Sequence, residues 1–166
     1  MQMFRDDART DKVDLGVGVY RTPEGKTPVM KAVKVAEELI WQTQDSKGYV
    51  ALAGDAGYLA AMTQLIFADA VPHERVAAAA TPGGTGAVRQ LMEMVKRLTP
   101  EATVWISAPT WPNHPAIISY LGLDLREYRY LDAETGGLDR AGMMADLAAV
   151  RRGDLILLHG CCHNPT

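Results

Sequence analysis

From residue 76 onward, short strand-like apolar runs alternate with helical patterns, and that alternation leaves few folds open. The apolar runs are 76–80 (VAAAA), 103–107 (TVWIS), 123–130 (LDLREYRY) and 155–158 (LILL). Between them lie a helical pattern over 87–98 (Val88, Leu91, Met92, Val95), a short one over 114–120, and one over 139–150 with Asp139 placed to cap it. Strands separated by helices predict βαβ units and a largely parallel sheet. Such sheets bind ligands outside the C-terminal ends of their strands. Three motifs follow strand-like runs and fall on that one edge: PGGTG (82–86), PTWPNH (109–114) and HGCCHNPT (159–166).

The N-terminal part is less regular. Residues 14–20 (DLGVGVY) alternate glycine with apolar side chains and read as an extended segment, followed by turn chemistry at 22–25. Val33, Val35, Ala36, Leu39 and Ile40 predict an amphipathic helix over 30–44, and Leu59, Met62, Leu65 and Ile66 a second over 58–67, with 54–57 as a loop.

Composition removes several functional classes. With 17 Lys+Arg against 20 Asp+Glu the formal charge is −3, which argues against nucleic acid or an anionic membrane as partner. A 48% hydrophobic and 22% charged chain of 166 residues has the makings of one ordinary globular core. The apolar run at 76–80 is far short of a membrane span, and Arg5, Asp6 and Asp7 interrupt any leader, so a cytoplasmic protein is expected. Cys161 and Cys162 are adjacent, a spacing that strains a mutual disulfide and agrees with a reducing compartment. Adjacent side chains in His159-Gly160-Cys161-Cys162-His163 diverge, whereas zinc needs four converging ligands, so no metal is expected.

Each motif has its own chemistry. Glycines between a strand and a helix let backbone N–H groups approach an anion, and Thr85 adds a hydroxyl donor. A tight turn that binds nothing fits the glycines equally well. Trp111, held between Pro109 and Pro112, suits stacking on a flat heteroaromatic ring, or anchoring its own loop in the core. Asn164 before Pro165 offers a neutral amide to a phenolate or carboxylate oxygen, or forms a simple turn. His114 and His159 have no carboxylate within their motifs and read as supporting groups rather than general bases.

Taken together, DLGVGVYR, TPGGTGAVR, APTWPNH and LLHGCCHNPT resemble the aspartate and aromatic amino-acid aminotransferases, pyridoxal-phosphate enzymes of fold type I. The resemblance runs over essentially the whole chain. It implies an α/β fold, the first part of a three-layer α/β/α large domain with a mostly parallel sheet. Residues 1–28 would form an N-terminal segment on the substrate-closing side, and 29–166 the first part of the cofactor-binding domain.

By position, the resemblance implies that Gly84 and Thr85 hold the cofactor phosphate, that Trp111 stacks on the pyridine ring, and that Asn164 hydrogen-bonds its phenolic oxygen. Trp111, Asn164 and Gly18 would also meet substrate, and Tyr49 would reach the phosphate of the other subunit in a homodimer. Thr110, His114 and His159 would surround the acid that pairs with the pyridine nitrogen. The family also needs a Schiff-base lysine, an acid and a substrate-gripping arginine downstream of HNPT. Lys12, Lys26, Lys31, Lys34, Lys47 and Lys96 lie in none of the three cofactor motifs. The chain therefore reads as the N-terminal part of a larger transaminase acting on acidic or aromatic L-amino acids and 2-oxo acids, inactive by itself. A non-catalytic phosphate-binding or self-associating fragment is the alternative.

Overall fold

The computed structural model describes every residue except Met1, Leu15, Val17 and Cys161. The chain divides into two compact units, Met1–Tyr49 and Val50–Thr166. The first contains α1 (Gln2–Asp6) and α2 (Lys31–Thr43), the latter on the pattern expected from sequence. The glycine-alternating segment at 14–20 falls partly outside the described residues. Among those described, Asp14 accepts hydrogen bonds from the Gly16 backbone and from Arg21.

The second unit runs α3 (Ala56–Phe67), a 3₁₀ turn (His73–Arg75), α4 (Gly83–Leu98), β1 (Thr103–Ala108), α5 (Asn113–Tyr120), β2 (Asp124–Arg129), α6 (Arg140–Leu147) and β3 (Leu155–Ile156). The three strands form an open parallel sheet in the order β2-β1-β3. Central β1 is buried from Thr103 to Ser107, as expected for a parallel strand covered on both faces. Edge strand β2 (DLREYR) is mostly charged and exposed, and buries only Tyr128. Met92 of α4, Val104 and Ile106 of β1, Ile118 of α5, and Leu121 and Leu123 of the following turn make the core. Burying such a side chain contributes about 1.5–3 kcal/mol. Lys96 crosses to the Leu121 carbonyl and ties the end of α4 to that turn.

Local chemistry explains the helix starts. Asp55 accepts from Tyr58 N–H at 2.8 Å, and Asp139 accepts from Gly142 N–H at 2.7 Å, so both are side-chain N-caps. A Cβ on Gly142 would collide with the Asp139 carboxylate, so the cap depends on glycine there.

Four expectations need correction. Residues 76–80 are not a strand: Val76 is extended, but the segment joins no ladder of the sheet, and its main-chain bonds run from Val76 N–H to His73 O and from Ala80 N–H to Ala53 O. An alanine run with no ladder partner has little to hold it as β-structure. Helix α4 starts at Gly83, four residues earlier than the apolar pattern indicates, because the glycines enter its first turn. Gly83 has φ +71°, and a Cβ on Gly86 would stand 3.0 Å from the Pro82 ring, so this start requires small residues. Helix α6 ends at Leu147 and tightens into a turn through Ala149 and Val150. Strand β3 is two residues long, its ladder extended only by Leu157 N–H to Trp105 O. Beyond it the chain leaves the sheet to carry His159 toward Thr110.

Candidate functional site

Because the three strands are parallel, their C-terminal ends share an edge, and each supplies part of one polar cluster. β1 leads to Thr110 and Trp111, β2 to Tyr130, and β3 to the loop from His159 to Thr166. Rings line up across this edge. Trp111 meets His114 edge-on at 5.3 Å, and His114 meets His159 edge-on at 5.3 Å. His159 stacks on His163 at 4.1 Å, and His163 on Tyr130 at 4.0 Å.

The hydrogen bonds in the cluster have a direction. The Asn164 backbone N–H donates to His159 Nδ1 at 3.1 Å, so that nitrogen carries no proton. His159 Nε2–H then donates to Thr110 Oγ1 at 3.2 Å, and the Thr110 hydroxyl donates to His114 Nδ1 at 2.8 Å. The relay leaves His114 Nε2–H as a donor with no acceptor among the described residues. Burial lowers the pKa of all three histidines below the ordinary imidazole value, and for His114 the neighbouring imidazoles His159 and His163 add to it. That direction favours the neutral rings the relay requires.

The start of α4 adds a second component. Gly84 and Thr85 have backbone N–H groups that donate to no described residue, and Pro82 supplies no side-chain cap. Space is open where a Cβ on Gly84 would stand. Thr85 lines a pocket of about 240 Å³ with Asn113, the residue two after Trp111, and with Arg89 and Tyr120. Arg89 lies over the Tyr120 ring at 4.8 Å and leaves its Nε without a partner.

Of the residues singled out from sequence, Thr110, Trp111, His114, His159 and Asn164 come together at the sheet edge, and Gly84 and Thr85 occupy the helix start. The Asn164 side-chain amide is exposed and bonds no described residue. Gly18 and Tyr49 belong to the first unit; a Cβ on Gly18 would meet open space, and Tyr49 is fully exposed. Sequence reasoning missed Ser107, Tyr130 and His163. In the sequence His163 stands out only as a flank of the adjacent cysteines, and the two strand-end residues carry no motif.

Comparison with known proteins identifies the family and the fold. A family model described as aminotransferase class I and II matches residues 10–166. An aromatic-amino-acid aminotransferase of Paracoccus denitrificans is 50% identical over all of this chain and 42% of its own length. An aspartate aminotransferase of Haemophilus influenzae is 43% identical over 99% of this chain, again 42% of its own. Among solved structures, an aromatic amino acid aminotransferase with 3-indolebutyric acid superposes with a TM-score of 0.95 at 50% identity, covering 99% of this chain and 42% of that one. The Burkholderia pseudomallei aromatic-amino-acid aminotransferase, described as covalently bound to pyridoxal phosphate, gives 0.93 at 39% identity, over 99% and 42% of the two chains. The chain thus spans less than half the length of these relatives. Among the described residues no helix is long and apolar enough to cross a membrane.

Proposed function

This chain belongs to the class I and II aminotransferase family, and from that membership we propose that the complete polypeptide moves an amino group between an acidic or aromatic L-amino acid and a 2-oxo acid. Enzymes of this family depend on pyridoxal 5′-phosphate. When bound, that group supplies an electron sink for bonds at the substrate Cα. The donor set present here fits it. Two unused N–H groups and the Thr85 hydroxyl at the start of a 16-residue helix suit a phosphate dianion, and the helix dipole adds about 0.3–1 kcal/mol.

The observation that carries the reading is the convergence of the Trp111 loop and the His159–Asn164 loop on one strand edge, with α4 opening beside it. Trp111 would cover one face of a flat ring, and its proline-bounded loop limits the entropy lost on doing so. Asn164 would donate its free amide to an oxygen on that ring. His114 Nε2–H, held in one tautomer by Thr110 and His159, would present a neutral donor to an acidic group. Gly18 would lie in a segment closing over substrate, with 1–28 on the closing side and 29–166 in the cofactor-binding domain. Tyr49 would reach the partner's phosphate in a homodimer, and the protein would act in the cytoplasm. Residues 1–166 would hold and orient, while a lysine outside them carries the covalent step.

The test is amino transfer by the complete encoded polypeptide, supplied with pyridoxal phosphate, 2-oxoglutarate and either L-phenylalanine or L-aspartate. Turnover with at least one donor is expected, and its loss in Thr85→Val and Trp111→Ala would locate the site. Absence of transfer from both donors would overturn the reading.

A further inference from the structure

His163 belongs to none of the assigned roles, yet it is the most constrained side chain of its loop. Its ring is sandwiched nearly parallel between His159, at 4.1 Å and 15°, and Tyr130, at 4.0 Å and 13°. Its Nδ1 faces Thr166, accepting from the backbone N–H at 3.4 Å and from Oγ1 at 2.8 Å. The proton is therefore on Nε2, which donates to Ser107 Oγ at 2.9 Å. Ser107 is fully buried at the end of the central strand. Beside it, Tyr128 Oη donates to the Leu157 carbonyl at 2.9 Å, two residues before His159. His163 thus connects the buried end of β1 to a loop that otherwise leaves the sheet.

We propose that His163 is a positioning residue: by stacking on His159 while bonded to Ser107, it fixes the plane of the His159 ring. That plane decides whether His159 accepts from Asn164 and donates to Thr110 together, since a ring turned out of it cannot reach both. Stacking alone sets the plane, while the Ser107 bond ties the loop to β1. Any consequence for cofactor binding rests on the function proposed above, whereas the effect on His159 does not.

Two substitutions separate stacking from hydrogen bonding. His163→Phe keeps a flat ring and loses the bond to Ser107, while His163→Asn keeps a polar group near Ser107 and loses the ring. The readout is the ¹⁵N spectrum of the His159 side chain in the complete polypeptide, with pyridoxal-phosphate affinity measured in parallel. Wild type is expected to show a single Nε2–H tautomer, His163→Phe to retain it, and His163→Asn to move toward an averaged tautomer. Cofactor affinity should fall ~5-fold in His163→Asn, the scale of one lost hydrogen bond, and recover in His163→Phe. An unchanged His159 spectrum in His163→Asn, or a lost tautomer in His163→Phe, would overturn the proposal. Should His163→Asn fail to fold, His163→Leu, which also lacks a flat ring, takes its place, and an unchanged His159 spectrum there would overturn the proposal. Failure of the cofactor reading would look different: wild type would not bind pyridoxal phosphate, while the ¹⁵N pattern held.

Discussion

At the N-terminal edge of the sheet, the Asp154 carboxylate accepts from the Thr103 backbone at 3.1 Å, the Arg151 backbone at 3.0 Å and Trp105 Nε1 at 3.3 Å. At the C-terminal edge, His159 and His163 tie the same two strands together through Thr110 and Ser107. Both clusters join β1 to the chain around β3, but one is saturated and the other is not. Asp154 has donors on both oxygens and its side chain is only 4% exposed. The other edge leaves His114 Nε2, the Asn164 amide and two helix N–H groups without acceptors among the described residues. Saturated polar groups contribute to stability; spare, oriented ones are available to a ligand.

The largest effect should come from removing what both edges share. Ile106 is fully buried in β1, so Ile106→Ala is expected to cost about 2–5 kcal/mol in urea unfolding. It should weaken cofactor binding as well, since both clusters hang on that strand.

Asp154→Asn should sharpen the contrast by lowering thermal stability while sparing ligand affinity. Backbone N–H groups of Arg151 and Thr103 hold this carboxyl at about 2, below its ordinary 3.8. A depressed carboxylate contributes its full stabilisation above about pH 4–5 and loses it as pH falls toward about 2. The variant should therefore show a shallower loss of stability across that acid range. Asp146, held at about 2 chiefly by Arg129, keeps its own share in the same window.

Thr110→Val breaks the relay and should cost about 1 kcal/mol of stability. Its clearer signature is ligand affinity and the titration of His114. The depressed histidines favour the folded state above about pH 6.5, and that contribution is lost as pH falls through their lowered values. A Thr110→Val protein whose affinity matched wild type would break the comparison at its functional end.

The smallest change is Gly84→Ala. Its φ is not positive and open space surrounds the added methyl, so stability should rise by about 0.4–1 kcal/mol. Phosphate affinity should fall, because the methyl stands where an anion would approach. Stability and binding moving in opposite directions is the expected outcome, measured by urea unfolding and cofactor titration.

Much of this was readable before any coordinates. Periodic apolar positions located α2, α3, α5, β1 and β2, because burial imposes those periods wherever an element packs. The three motifs, with the family resemblance they carry, named the candidate residues Thr110, Trp111, His114, His159 and Asn164, which the fold brings together. Reasoning failed where pairing decided the outcome. Residues 76–80 look like a strand but pair with none of the three strands, and a ladder is a property of two segments.

By itself, then, the sequence determined the alternation, the parallel sheet, the edge on which the motifs gather and the family they belong to. Only the tertiary structure decided that His163 stacks between His159 and Tyr130, that Ser107 anchors it, and that Asp154 closes the opposite edge. Apart from the His159–His163 stack, those contacts join residues 33 to 56 positions apart. No local pattern encodes them, because they exist only once the strands have set the loops side by side.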